Sequence, residues 1–274
     1  MNDPLDEPRI RRALEIGLRS GNIAPSQIGC EIVVLDEIGS TNDAIAERAL
    51  AGASDGLVLV AEKQSAGRGR KGAAWIAPPS HNLTFSVLLR PTFPMELWPR
   101  LSHVAGLAVV NGVEPWLSGI DLQLKWPNDV YADAKKLAGI LVETRSSSTG
   151  AFVVLGIGLN VNSQPADFPP ELAHTLTSVA GLTGTPSASR NEICGSILAE
   201  LSRFYEQGTQ AFDTLIAELE QRSFLLHQKI RFRTTEGWNH ATMVGIGANG
   251  EMLVQKHPDE PVTAILNAED VRIA

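Results

Sequence analysis

Apolar residues at Ile10, Leu14 and Leu18 recur four positions apart and predict a short helix over residues 8–19, ended by Gly21. The texture then changes. Glu31-Ile32-Val33-Val34-Leu35 reads as a strand, and Ser40-Thr41-Asn42-Asp43 follows it. The acid three residues after Ser40 makes a partial capping box for a helix reaching about Leu50. Apolar runs predict strands at 57–62, 83–89, 122–126, 137–143 and 152–159, with helices near 99–117, 190–206 and 209–220. The Pro-rich stretch 163–170 reads as a loop, and Ser146-Ser147-Ser148-Thr149-Gly150 as a hairpin tip. Beyond residue 225 the pattern turns to strict alternation, as in Ile230-Arg231-Phe232-Arg233, and Ala248-Asn249-Gly250-Glu251 is a hairpin signal. These segments divide the chain into an N-terminal extension (1–28), a main domain (29–225) and a small β domain (226–274), with no internal repeat.

Composition adds mild bounds. A chain of 274 residues can bury a substantial core. A net charge of −8 and an isoelectric point near 5.3 imply no general affinity for nucleic acid, while leaving room for a local basic site. Cys30 and Cys194 are the only cysteines, with neither metal-ligand spacing nor a disulfide framework. The start, MNDPLDEPRI, lacks a basic-then-apolar signal pattern, and no apolar stretch reaches membrane-spanning length. The expectation is a reduced, cytoplasmic, soluble protein that does not engage a membrane.

Candidate chemistry concentrates in four segments. Gly67-Arg68-Gly69-Arg70-Lys71-Gly72 places three cations among three glycines, directly after a strand. Such a loop suits phosphate, through backbone N–H groups and guanidinium forks. It also matches a dinucleotide fingerprint literally, but Pro78 and Pro79 follow, the next element looks extended, and residues 85–92 hold no acid. The other three are Lys125-Trp126-Pro127-Asn128-Asp129, Lys135-Lys136-Leu137-Ala138-Gly139-Ile140-Leu141-Val142-Glu143, and Gly156-Ile157-Gly158-Leu159-Asn160-Val161-Asn162. Taken singly, each has an ordinary structural reading: a Pro-Asn-Asp turn, a hairpin end with exposed lysines, and a β-bulge.

In that order, from about Ser40 to Asn162, the four segments closely resemble the biotin–protein ligases. The resemblance implies an α/β (α+β) fold like the class II aminoacyl-tRNA synthetases: a mixed, mainly antiparallel sheet with helices on one side, then a small SH3-like β barrel. It implies that biotin and ATP, with Mg²⁺, give biotinyl-5′-AMP, and that the biotinyl group passes to a lysine of a biotin carboxyl carrier protein, as in acetyl-CoA carboxylase. Carried over residue by residue, Lys136 and Arg70 are the catalytic cations, and Ser40, Thr41, Gln64, Arg68, Lys136 and Gly139 hold biotin. Gly67, Arg68, Gly69, Arg70, Lys71, Trp75, Lys125, Asn128 and Asn160 fall on the ATP side. Open readings accompany them: Ser40 and Thr41 as helix caps, Trp75 as a core anchor, and Asp129 as a magnesium ligand or a brace for the Asn128 turn.

One departure stands out. Many relatives carry a further arginine after the last loop glycine, where this chain has Ala73-Ala74. Only 39 residues precede Ser40, so no winged-helix DNA-binding domain and no operator binding are expected. Homodimer formation stays open. The competing readings are a lipoate or octanoate protein ligase, which lacks the Gly-Arg-Gly-Arg loop, and a non-catalytic biotin sensor, which has no need of acyl-transfer cations.

Overall fold

The computed structural model describes residues 3–78, 80–147, 150–184 and 188–274. Ser148 and Thr149, at the expected hairpin tip, and Pro79 lie outside the described residues. Helix α1 (Glu7–Ser20) starts where the Asp6 side chain accepts from Arg9 N, and it buries Ile10 and Leu14. Strand β1 (Ile32–Ile38), helix α2 (Thr41–Leu50), and strands β2 (Val58–Gln64) and β3 (Leu83–Leu89) follow. The helix expected at 99–117 is α3 (Leu101–Val113) flanked by 3₁₀ turns at Met95–Arg100 and Glu114–Trp116. Pro99 and Pro115 lie in those turns, where neither can continue the α-helical hydrogen bonding.

Strands β4 (Leu122–Lys125), β5 (Asp129–Ala132), β6 (Lys135–Ser147) and β7 (Gly150–Leu159) complete a seven-stranded sheet ordered β1-β2-β3-β7-β6-β5-β4. Among the described strands of this sheet, β1 and β2 pair in parallel and the other neighbours are antiparallel. Strand β5 was not expected from the Pro-Asn-Asp turn signal; its buried Val130 and Ala132 alternate with half-buried Asp129 and Tyr131. The short α4 (Val179–Thr183), capped by Ser178, is likewise new, whereas α5 (Arg190–Gln210) and α6 (Asp213–Gln221) fall where expected.

Alternation along the strands sorts the core into two faces. Val58, Val60, Phe85, Val87, Val153, Leu155 and Ile157 join the cluster that includes Ile10 of α1, Val109 of α3 and Ile197 of α5. Leu57, Leu59, Leu88, Phe152 and Val154 turn the other way and bury Ala44, Ile45 and Ala49 of α2. Helices α1, α3 and α5 thus form the expected layer. Helix α2 differs by lying on the opposite face, because those strands are apolar on both sides.

Strands β8 (Lys229–Thr234), β9 (Gly237–Ile246), β10 (Met252–Gln255), β11 (Thr263–Ile265) and β12 (Asp270–Ile273) form a separate antiparallel sheet ordered β11-β10-β9-β8-β12. It is consistent with an SH3-like domain. Its β9–β10 hairpin rests on α3, and the segment entering β12 reaches the loop after β2. No helix among the described residues is long and apolar enough to cross a membrane.

Candidate active site

Where β2 ends, α2 begins, and β6 and β7 run side by side, a cavity of about 220 Å³ opens. Its floor is main chain. Gly139 on β6 pairs with Gly158 on β7, and Leu141 with Gly156. A Cβ on Gly158 would lie 2.3 Å from Trp75 Cε2, and one on Gly156 would lie 2.2 Å from Asn42 Oδ1. These glycines let an indole and an amide rest directly on the strands.

One end of the cavity is neutral and rich in hydrogen-bonding groups. Ser40, Thr41 and Asn42 are buried at the start of α2. Ser40 holds the N-cap position but makes no side-chain capping bond, so its hydroxyl is not spent on the helix. Thr41 donates through its backbone N (2.7 Å) and its hydroxyl (3.0 Å) to Gln64 Oε1. Ser86 Oγ lies 2.7 Å from Thr41 Oγ1 and 2.6 Å from Asn42 Oδ1.

Cations enter from the loop after β2 and from β6. The loop after β2 folds on itself, with Gly69 N donating to Ala73 O and Trp75 N to Gly67 O. Lys71 (φ 55°) and Gly72 (φ 77°) turn the chain through the left-handed region. Arg68 donates to both oxygens of Glu143 and, at 2.7 Å, to Asp43 Oδ1. Arg70 donates to Asn128 Oδ1 at 3.2 Å, to Asn267 Oδ1 at 3.1 Å and to Ala268 O. Burial lowers the pKa of its guanidinium from the ordinary value, against the opposing pull of the Asp129 charge. Lys136 Nζ lies 2.8 Å from Asp129 Oδ1 and 5.6 Å from the centre of the Trp75 ring.

Asn128 and Asp129 reach the cavity from a turn with a cis Trp126–Pro127 bond. Asn128 is held on both sides of its backbone and amide: its Nδ2 donates to Ile140 O, and its carbonyl accepts from Ile140 N. Two buried polar atoms lining this cavity, Arg68 Nε and Trp75 Nε1, have no protein partner.

Ser40, Thr41, Gln64, Arg68, Gly69, Arg70, Trp75, Asn128, Asp129, Lys136 and Gly139 all line this one cavity. Four expected residues do not. Gly67 instead lets Trp75 O approach, where a Cβ would lie 2.6 Å away. Lys71 faces Glu269 at 3.8 Å, and Lys125 donates to Tyr131 Oη at 3.1 Å. Burial pulls Lys125 below the usual lysine pKa, opposed by Asp129. Asn160 is buried, accepting from Asn82 Nδ2 and donating to Thr177 O. Conversely Asn42, Ser86 and Glu143 hold the site together without having been singled out. Glu143 carried a readable signal, since it follows Gly139 by an even number of strand positions and so shares its face.

Residues 34–160 match the family model described as the biotin/lipoate A/B protein ligase family. A biotin–[acetyl-CoA-carboxylase] ligase of Mycobacterium tuberculosis is 38% identical over 241 residues, covering 86% of this chain and 84% of that protein. This chain belongs to the biotin–protein ligase family. A second relative, the bifunctional ligase/repressor BirA of Bacillus subtilis, is 30% identical over 269 residues, covering 94% of this chain and 82% of its own. Among solved structures, the biotin protein ligase of Aquifex aeolicus in complex with biotin and ATP superposes with a TM-score of 0.77 at 30% identity, covering 89% of this chain and 99% of that one. The ligase family thus accounts for the two-sheet architecture and for the four motif segments together.

Proposed function

We propose that this chain joins biotin to ATP and then transfers the biotinyl group to a lysine of a biotin carboxyl carrier domain. One observation carries the reading: Arg68, Arg70 and Lys136, from two distant stretches of chain, line one cavity together with the neutral hydrogen-bonding groups of Ser40, Thr41 and Gln64. A flat, uncharged ureido ring fits the Ser40, Thr41 and Gln64 end, while an acyl–phosphate junction fits the cations. The names of the relatives, and the biotin and ATP in the Aquifex aeolicus structure, point the same way.

In the first step a biotin carboxylate oxygen bonds to the α-phosphorus and pyrophosphate leaves. Negative charge gathers on the phosphoryl oxygens, and fixed cations stabilise it more than bulk water does. Lys136 and Arg70 fill that role, and Asn128 fixes Arg70 laterally. In the second step the acceptor lysine nitrogen attacks the acyl carbon, AMP departs, and the amine proton goes to solvent. Lys136 acts as a cation throughout, and its ion pair with Asp129 keeps the ammonium in place.

Magnesium is the metal expected with ATP, and when bound it would neutralise charge on the phosphates. Among the described residues no group of three or more His, Cys, Asp or Glu side chains could hold it, and the acids lining the cavity that would be available to it are Asp129 and Glu269. Biotin-dependent ATP–pyrophosphate exchange tests the reading. Exchange should require biotin and fail with lipoate or octanoate, and an intact-mass gain of one biotinyl group on an added carrier domain should follow. Exchange with lipoate in place of biotin, or none with either, would reject it.

A further inference from the structure

Two side chains donate to a single carbonyl at the seam between the sheets. Trp126 Nε1 lies 3.0 Å from Gly250 O, and His103 Nε2 lies 2.9 Å from the same oxygen. A carbonyl has two lone pairs, so both bonds form when the imidazole carries its proton on Nε2. Both side chains are buried. Gly250 sits at φ 83°, and a Cβ there would lie 2.6 Å from His103 Cδ2. Only glycine lets this carbonyl come so close.

Neighbouring residues at the start of α3 serve the same seam. Arg100 donates to Ala248 O and to Asn249 Oδ1, each at 2.8 Å. Ser102 donates to Pro127 O at 2.8 Å. The β9–β10 hairpin and the Trp126–Asp129 turn are therefore held from one short segment, 100–103. Beyond the joint, that turn presents Asn128 to Arg70 and Asp129 to Lys136.

We propose that His103 is a positioning residue: with Trp126 it locks the turn to Gly250 O, and so sets where Arg70 and Lys136 stand for adenylate formation. The small sheet then shares in the first chemical step without touching the reacting atoms. The inference rests on the function proposed above. Burial, which holds the imidazole below its ordinary pKa and so neutral, agrees with this bonding but does not carry it.

His103→Leu keeps apolar volume and deletes the donor, whereas His103→Gln returns an N–H at similar reach. Exchange is measured per competent chain, counted by labelled biotin bound without ATP. The leucine variant should lose about 10- to 100-fold in kcat, as a small misplacement of reacting groups does. The biotin KM should move less than about 3-fold, because the neutral end of the cavity is untouched. Glutamine should restore most of the rate, and the Trp126 indole N–H resonance should shift with leucine and return with glutamine. Should the leucine variant not fold, Arg100→Ala loosens the same hairpin and should lower kcat in the same direction. Wild-type kcat in the folded leucine variant, or glutamine no better than leucine, or an unchanged rate in Arg100→Ala when it stands in, would overturn the inference. Absence of biotin-dependent exchange in the wild-type chain would instead reject the function, and the indole resonance would still test the joint.

Discussion

Arg68 grips Glu143 with both arms of its guanidinium, Nη1 to Oε1 at 3.1 Å and Nη2 to Oε2 at 3.0 Å. Glu143 also accepts from Asn42 Nδ2, so a single carboxylate ties the glycine-rich loop to the start of α2. Glu143→Gln would set amide hydrogens against two donors and release the clamp. Charge-assisted bonds of this kind are worth about 1.5–3 kcal/mol. The biotin KM in the exchange assay should therefore rise on the order of tenfold, with a smaller change in kcat.

Lys136 should matter for chemistry more than for binding. Lys136→Ala removes the ammonium that Asp129 holds in place, and kcat for exchange should fall about 10²- to 10³-fold, as when a fixed charge-stabilising group is lost. Biotin binding measured by calorimetry without ATP should change far less. A parallel loss of both would show that Lys136 serves ground-state binding instead.

Gly158 gives a steric test. Its backbone φ is not in the left-handed region, so alanine meets no conformational penalty there, only the indole 2.3 Å from the new methyl. Gly158→Ala should push Trp75 off the strand and alter its fluorescence. The ATP KM should rise on the order of tenfold, since Trp75 belongs to the nucleotide side by family resemblance. Normal fluorescence and KM would place the indole elsewhere in solution.

Arg190, fully buried, donates through Nη1 and Nη2 to the two oxygens of Glu62 at 2.8 and 3.1 Å. Burial alone would raise the Glu62 pKa, but the bonds from Arg190 and Leu5 N, with the Arg190 charge, bring it below the ordinary carboxylate value. A depressed folded pKa adds stability that is complete above the unfolded value, near pH 4.3, and is lost as pH falls through the folded one. The urea midpoint of the wild-type chain should therefore drop on acidification below about pH 4.3, and the gap to Glu62→Gln should narrow as it does so. A gap that widens in acid would contradict the sign.

Much of the site was legible because its residue types have few other uses. Arg68 and Arg70 among glycines, and Lys136 three residues before Gly139, stand in the cavity as read. The strands could be read where they are apolar on both faces, as Leu83–Leu89 is. Strand β5 could not, because Pro127-Asn128-Asp129 signals a turn locally and the strand after it is set by pairing with β6. Ser86 was hidden within an apolar strand, and only folding brings it beside Thr41 and Asn42. Lys125 and Asn160 show the reverse. They stand outside the cavity lining, with their polar ends engaged by Tyr131 in one case and by Asn82 with Thr177 in the other. The bond from Arg70 to Asn267 joins residues 197 apart, a pairing that no local pattern encodes.

The paired glycines of β6 and β7 have a lasting consequence for selectivity. Trp75 and Asn42 lie where methyl groups would otherwise stand, flat against the ladder, so these two side chains have little freedom left to lose when a guest arrives. Discrimination against bulkier acids would then reside in how closely the indole and the amide are pressed to the strands, and a methyl group added at Gly158 or Gly156 would reshape the cavity by lifting them.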